Sequence, residues 1–570
     1  MLEFKNINKL KEDINKYKNI TRILSIIRLI SLIIFLVFVI LLISQNNYLL
    51  YGIISFVLFI YLISFVFITN KYYIILKHLE NKLKVYNIHL KRRELNLDMI
   101  YDDGFDFIKK DDYKSSDLDL FGKHSLFKYL NSTKTKYGRN LLKDNLLNKT
   151  QNDNNFSESI LELGKTEDTI DIEASLQDFK NDAKKIDYDT FNFVSGNKIK
   201  LNILSFIPLI SFILTIVYLI LIFTIKLNPY YIIIFLVSNL ILSKFLLKND
   251  VFNIDSMSYS NLASTYIYVI KTIKNINFKQ DYLNKIKDNI LKEETNIKSL
   301  RRMYLILSIR YNMLINILLN TLFSFDFFII LLFNNKTKKM AKIEAIFENV
   351  GILEVLISFS NIAIDNDIYT TPLISDTFEV KDMYHPLVKN CVKNDFKFLG
   401  GIILTGSNMS GKTTFMRMIG INMILANCNS LVFASYFKSP ILNVYTSLRC
   451  NDMLKEGIST FYAEILRMKL INQKIEEEKC LILIDEIFKG TNAVERIQAS
   501  FKIIEKFNLK NVYFIISTHD YDLCSAKNIL NYHFEETYDE ANKISFDYKI
   551  KEGISESKNA LYLLKMANII

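Results

Sequence analysis

Apolar and polar positions along the chain fall into three textures. Four stretches are almost continuously apolar: residues 26–44, broken only by Arg28, then 48–69, 201–225, and 229–243, extendable past Lys244 to Leu247. A helix needs about 20 apolar residues to cross the hydrocarbon core of a bilayer. The second stretch, 22 residues without a charge, and the third, 25 residues long, meet that length alone, and the other two fit as hairpin partners. Polar regions of the chain carry apolar residues at three and four spacing, as in 126–147 and 282–310, which predicts helices. From about residue 378 the texture changes again. Short apolar runs at 401–404, 480–484 and 512–517 alternate with helical segments, the pattern of a parallel α/β domain.

A fifth apolar stretch, 313–333, carries Asp326 near its middle. A charge at mid-bilayer costs several kcal/mol, so this stretch is expected as a buried helix of a cytosolic bundle. The hairpin turns, 45–47 and 226–228, hold one charge between them, whereas residues 1–28 carry seven Lys/Arg against three acids. Basic residues collect on the cytoplasmic side. Both hairpins are therefore expected to dip in from the cytoplasm and return, giving a multi-pass protein of the cell membrane with about four transmembrane helices in the lipid bilayer. The first run is no cleavable signal peptide, because another span follows at once without a small-residue cleavage site. The expected organisation is a cytosolic segment with hairpin 1 (1–70), a helical region (71–200), hairpin 2 (201–247), a helical core or lever (248–377) and an α/β domain (378–570).

Composition narrows the classes. Half of the 570 residues are hydrophobic, 23% are charged, and Gly plus Pro number only 20. That excludes a disordered or collagen-like chain. The net charge of +11 is compatible with nucleic acid or an anionic membrane surface, but a chain crowded with Lys, Asn and Ile reaches it through AT-rich coding bias as well. Five cysteines, Cys391, Cys428, Cys450, Cys480 and Cys524, form no CxxC pair, and the six histidines form no HExxH. Neither a disulfide framework nor a zinc site is indicated, and a reducing compartment is expected.

The strongest chemical signal is Gly406-Ser407-Asn408-Met409-Ser410-Gly411-Lys412-Thr413, followed by Thr414. It matches GxxxxGK[ST], with a strand-like run before it and a helical stretch after it. Glycines let backbone N–H groups curl around phosphate oxygens, and the helix N-terminus adds partial positive charge. Lys412 is expected to reach the β- and γ-phosphates of ATP, and the Thr413 hydroxyl to ligate Mg²⁺. The run Leu481-Ile482-Leu483-Ile484-Asp485-Glu486 ends a buried strand in two carboxylates, 73 residues beyond Lys412. Asp485 would hold Mg²⁺, and Glu486 would orient or deprotonate the attacking water. A third strand-like run ends in Thr518-His519-Asp520, which places His519 where many P-loop ATPases keep a γ-phosphate sensor. The expected activity is ATP hydrolysis.

At these residues the chain resembles the MutS family of DNA mismatch repair-type ATPases. Residues 405–417, TGSNMSGKTTFMR, are similar to that family's P-loop, where Asn-Met inside the loop is distinctive. Residues 481–495, LILIDEIFKGTNAVE, resemble its second acidic motif and the glycine-threonine loop that follows. Gly457 to Glu464 resembles the segment that plays the ABC-signature role. The resemblance implies that Ser459 contacts the γ-phosphate of ATP held by a second copy, and hence a homodimer with two composite ATP sites. His385-Pro386-Leu387 resembles the start of the ATPase domain, residues 125–139 the start of the helical core, and residues 559–567 a closing helix. The expected fold is thus a MutS/ABC-like α/β P-loop ATPase domain joined to an α-helical core, with two transmembrane helical hairpins.

The departures from the family's pattern are as informative. The region that in the family carries a mismatch-reading domain with a Phe-x-Glu wedge is a membrane hairpin here, so that domain is expected to be missing. Phe156-Ser157-Glu158 lies in a polar stretch and is read as chance. Hairpin 2 occupies about the place of the family's DNA clamp. DNA contact demands clustered Lys/Arg, and three candidates exist: Lys91-Arg92-Arg93, Lys134 with Lys136 and Arg139, and Lys298 with Arg301-Arg302. Three readings follow: a membrane-anchored MutS-type ATPase that binds DNA in mismatch-repair fashion; a membrane mechanochemical ATPase or scaffold that does not bind DNA; and an ABC-transporter-like ATPase, against which stands the lack of an LSGGQ-type signature before Asp485.

Overall fold

The computed structural model describes residues 7–44, 48–109, 112–150, 152–179, 206–246, 256–340, 344–407, 410–449, 460–488, 492–510, 512–538 and 544–554. Two long helices open the chain, α1 (Ile7–Ser44) and α2 (Tyr48–Arg93), packed along one another as a hairpin. The apolar run 48–69 is only the first half of α2, which continues without a break to Arg93. Side chains in the apolar halves face outward: Ile40 is 63% exposed and Phe67 72%. Five shorter helices follow: α3 (Tyr113–Asp117), α4 (Leu126–Leu130), α5 (Lys136–Leu146), α6 (Asn154–Lys165) and α7 (Asp168–Leu176). Ser125 and Thr135 start α4 and α5 by accepting backbone N–H bonds from Lys128 and Gly138, which accounts for the Ser and Thr of that motif. Phe156 is a core side chain, edge-on to Phe359, so the early Phe-x-Glu is no exposed wedge.

The second hairpin is α8 (Ile207–Ile225) and α9 (Ile232–Leu246), turned by Lys226 in the left-handed region. Then come α10 (Ser256–Lys274), α11 (Asp281–Lys292), α12 (Glu294–Ile309), α13 (Met313–Phe323), α14 (Phe325–Met340) and α15 (Glu344–Asp365). The helix expected over 282–310 is two helices, parted at Glu293. The buried helix expected over 313–333 is also two, parted at Ser324 with φ +47°, and its first half is exposed rather than buried. Asp326 lies just past the break, buried against Arg310.

Helices α1, α2, α8 and α15 are long and apolar enough to cross a membrane by length and composition, but α15 has 72% of its apolar window buried in the protein. It is the axis of the helical core, packed on α2, α4, α5, α6 and α11. Its polar residues have internal partners. Glu354 accepts the backbone N–H groups of Lys134 (3.0 Å) and Thr135 (3.1 Å) together with the Thr135 hydroxyl.

At the C-terminal end of α15, Asp365 sits fully buried beside His89 Nδ1 (2.8 Å) and Arg92 Nη1 (3.0 Å) of α2, with Arg93 Nε at 3.2 Å. The other ring nitrogen of His89 faces Glu173 of α7 at 3.0 Å. This corrects a sequence expectation: Arg92 and Arg93 form no surface patch, and of that trio Lys91 alone is exposed. Arg139 is likewise engaged, held between Asp102 and Asp106 and stacked on Phe107. Arg301 and Arg302 remain exposed on α12.

Beyond α15 the chain forms β1 (Leu373–Ile374), β2 (Phe378–Met383), β3 (Asn394–Phe398), β4 (Gly401–Thr405), α16 (Lys412–Asn427), β5 (Tyr436–Ser439), β6 (Asn443–Ser447), α17 (Thr460–Lys474), β7 (Cys480–Asp485), α18 (Ala493–Leu509), β8 (Tyr513–Ser517), β9 (Ile529–Tyr538) and β10 (Ile544–Glu552). A four-stranded sheet has the order β1-β5-β2-β3, and a six-stranded sheet β10-β9-β4-β8-β7-β6. The larger sheet is parallel except for its β10 edge. Strands β4, β7 and β8 are the three apolar runs seen in the sequence. Residues 555–570, which include the expected closing helix, lie outside the described residues.

Removing one partner of a dry ion cluster strands the others, at a cost of about 3–5 kcal/mol. Asp365→Ala should therefore lower the stability of the solubilised full chain by that amount in denaturant unfolding. Asp171→Ala, which removes a partly exposed partner of Lys82 and His78, should cost about 1 kcal/mol or less. Equal small losses would refute the structural weight given to Asp365.

Candidate functional site

Ligands of open parallel sheets bind beyond the carboxyl ends of the strands, and the register of the large sheet assembles a site there. Ser517 is the register partner of both Leu404 and Asp485, so the ends of β4, β8 and β7 lie side by side. The glycine-rich loop leaves β4 at Gly406, with φ +139°, and enters α16 through Gly411, with φ +99°. Both conformations are ones that L side chains rarely adopt, which is why glycines stand there. Asn408 and Met409 lie outside the described residues.

Within the loop, Ser410 donates its hydroxyl to Ser407 O at 2.8 Å. The buried Lys412 ammonium curls over the loop, donating to Gly406 O (2.7 Å) and Ser407 O (2.8 Å). The Ser407 hydroxyl oxygen is buried without a hydrogen-bond partner, an arrangement suited to an anion entering the cradle. Thr413 donates its hydroxyl to Asp485 Oδ2 at 2.8 Å, and Ser517 donates to Asp485 Oδ1. A hydroxyl and a carboxylate in contact at the head of a phosphate loop are the donor set for Mg²⁺ that arrives with a nucleotide. Among the described residues no group of three His, Cys, Asp or Glu is placed to hold a metal by itself, so the remaining ligands would come from phosphate and water.

Glu486 follows at φ +62°, a backbone held by its N–H bond to Ser517 O (3.0 Å). Non-glycine residues so placed cluster at functional sites. Its Oε1 lies 3.3 Å from His519 Nε2. Burial and the Lys412 ammonium hold His519 below the ordinary imidazole range, against the pull of Glu486, Asp485 and Asp520. The ring is then neutral at pH 7 and carries one N–H as a donor. Behind it Arg496 clamps Asp520 through two bonds, Nε at 2.8 Å and Nη2 at 2.7 Å. Lys412, Thr413, Asp485, Glu486 and His519 are thus brought together as the sequence predicts, with Gly406, Ser407, Ser410, Gly411 and Thr414 in or beside the loop. Ser459 lies outside the described residues, and α17 begins one residue after it.

Ser407, Gly411, Lys412, Thr413, Thr414, Asp485 and Glu486 line a cleft of about 640 Å³. Its outer wall uses residues that the motifs do not reveal: Val392, Asn394, Met418 and Tyr548. A bulge in β10 places Tyr548 over the start of α16, and Asn394 secures it by donating to Tyr548 O (3.1 Å) and accepting from Ile550 N–H (2.8 Å). The ring offers a flat apolar face at the mouth, suited to stacking a base.

The loop helix is braced to the helical core. Arg417, one turn beyond Thr413, donates to Asp119 at 3.1 Å, and Arg449 donates to the same carboxylate at 2.8 and 2.9 Å. Asp117 accepts the backbone N–H groups of Leu448 and Arg449 and the guanidinium of Arg467. Nearby, His385 of the His-Pro pair is buried, accepts the Leu387 N–H at 3.2 Å, and has its pKa pushed down to about 4 by burial, with Arg417 adding to the effect.

Residues 402–570 match the family model described as MutS domain V. The chain is 32% identical over 238 residues to MutS protein homolog 4 of Mus musculus, a match covering 39% of this chain and 24% of that protein. It is 30% identical over 238 residues to the DNA mismatch repair protein MutS of Persephonella marina (39% of this chain, 27% of that protein). To the protein of the same name from Macrococcus caseolyticus it is 29% identical over 241 residues (39% and 28%). The chain spans about a quarter of the length of the curated relatives it matches.

The folded-state pKa of His385 lies below its unfolded value of about 6.5, so the unfolded chain binds the extra proton first as pH falls. Its contribution is complete above about pH 6.5 and is lost between there and pH 4. At about 1.4 kcal/mol per unit this amounts to roughly 3 kcal/mol. His385→Asn should flatten the acid limb of stability over that window in unfolding measured from pH 4 to 7. An unchanged slope would contradict the assignment.

Proposed function

We propose that the chain is a membrane-anchored MutS-type ATPase whose dimer closes on nucleotide binding and reopens on hydrolysis, a reading supported by the likeness of residues 402–570 to MutS domain V. The observation that carries this reading is the meeting of Thr413, Asp485, Glu486 and His519 at three adjacent strand ends. Thr413 and Asp485 would hold Mg²⁺, which would supply positive charge against the phosphates; Lys412 would neutralise the β- and γ-phosphates, Glu486 would align the water, and neutral His519 would sense the γ-phosphate. Ser459 from a second copy completes each site. An exposed apolar stripe on α17, Tyr462, Ile465, Leu466 and Leu470, supports a pairing face beside it. The outward-facing apolar halves of α1, α2, α8 and α9 support anchoring in the cell membrane by about four spans, with the ATPase in the cytoplasm.

DNA is the cargo this reading takes, supported by relatives that are named DNA mismatch repair proteins. One observation favours a second reading, a membrane mechanochemical ATPase that does not bind DNA. Arg92, Arg93 and Arg139, from two of the three basic clusters, are spent on internal carboxylates.

Lys412→Ala should abolish nucleotide binding. Glu486→Ala should keep it, trap the closed dimer and lower ATPase turnover on the order of 10²-fold or more; equal rates in that variant and the wild type would overturn the role given to Glu486. The cargo is tested with full-length protein in nanodiscs, with ATP, on matched and mismatched duplex. Binding should weaken steeply with salt, log K falling by about 0.9 per phosphate contact for each decade of salt. No binding at low salt with intact ATPase selects the second reading.

A further inference from the structure

Helix α13 is built inside out for water. Its eleven residues carry no charge. Leu314, Leu318 and Leu322 repeat at four spacing along one face, and Leu314 is 80% exposed and Leu318 58%. On the opposite face Asn316, Asn320 and Ser324 repeat at the same spacing, and Asn320 and Ser324 are buried. A surface helix in water turns the other way, apolar face in and polar face out.

The polar face has specific partners. Asn320 donates to Asn316 Oδ1 at 2.6 Å and accepts the Asp326 N–H at 2.9 Å. Asn239 of α9, fully buried, donates to Thr215 Oγ1 of α8 (3.0 Å) and to Thr321 O of α13 (3.1 Å), joining all three helices. The Ser324 hydroxyl donates to Pro208 O at 2.9 Å, and Phe212 of α8 lies edge-on to Phe328 and against Phe323. Helix α13 is therefore one body with the second hairpin, and its exposed leucines continue the outward apolar surface of α8 and α9. The one carboxylate of the stretch, Asp326, lies beyond the helix and is met by Arg310 at 3.1 Å. A 98° bend separates α13 from the line of α11 and α12.

Hydrogen bonds inward and leucines outward form the low-energy arrangement of a helix in lipid. Resting on the membrane reading above, we propose that α13 is a third lipid-embedded helix of the second hairpin unit, its leucine face against acyl chains. Eleven residues span about 16 Å, half of the roughly 30 Å hydrocarbon core, so α13 enters one leaflet and does not cross.

The test uses full-length protein in liposomes of phosphatidylcholine and phosphatidylglycerol, containing a phospholipid with a photoactivatable diazirine in its acyl chain. Adducts are mapped by peptide mass spectrometry. Lipid adducts are expected within 313–323 as well as within 207–225. Adducts within 207–225 but none within 313–323 would overturn the proposal while leaving the hairpin in the membrane. A bismaleimide crosslink to a second copy mapped to position 318 in L318C, with no lipid adducts within 313–323, would overturn it in favour of a protein occupant. Adducts in neither segment would remove both the proposal and the membrane reading on which it rests.

Discussion

Asp365 ends α15 where water does not reach, so its charge must be matched where it stands. His89 and Arg92 match it from α2, Arg93 from the same helix's last turn, and Glu173 of α7 holds the far side of the imidazole. Three helices are fixed in azimuth and register by this one requirement, because a rotation of any of them leaves a charge without a partner. The chain then passes within eight residues from α15 to β1. The cluster is thus the point from which the placement of the α/β domain against the helical body follows. A second ionic junction, Asp117 and Asp119 with Arg417, Arg449 and Arg467, ties the same body to the phosphate-loop helix. The first junction is dry and the second partly wet, so the second is the softer in salt.

What was legible in the sequence is what chemistry forces to be contiguous. A phosphate cradle needs its glycines, lysine and threonine in one loop, so Gly406 to Thr413 could be read directly. Asp485 and Glu486 could be read because a buried apolar strand announces where it ends. Ser517 was not legible as a partner of Asp485, because that contact comes from the register of β7 on β8, nor was Tyr548, which a bulge in β10 brings over α16.

Charge clusters misled for a related reason. Sequence shows that Arg93 is basic, but its carboxylate lies 272 residues away, and no local pattern reports it. The stretch 313–333 misled because average apolarity merges two helices when the break between them falls on a serine. The four-residue spacing of Asn316, Asn320 and Ser324 was the signal that could have separated a helix with its apolar face outward from a core helix.

Helix α2 has 46 residues and, after Gly52, neither glycine nor proline. Such a helix has no built-in place to kink, and at about 1.5 Å per residue it is a rod of about 69 Å. Its last turn is pinned by Asp365. From Lys77 to Arg93 the helix is tied to Asp178, Asp171, Glu173 and Asp365, so about 43 Å reaches beyond, and a tilt of about 5° there swings the opposite end by about 4 Å. The helix is therefore a boom with a large mechanical advantage in displacement and a correspondingly small one in force. Small rearrangements beside the α/β domain would be amplified into sideways sweep at the far end, and a sideways load at the far end would return to Asp365 as torque.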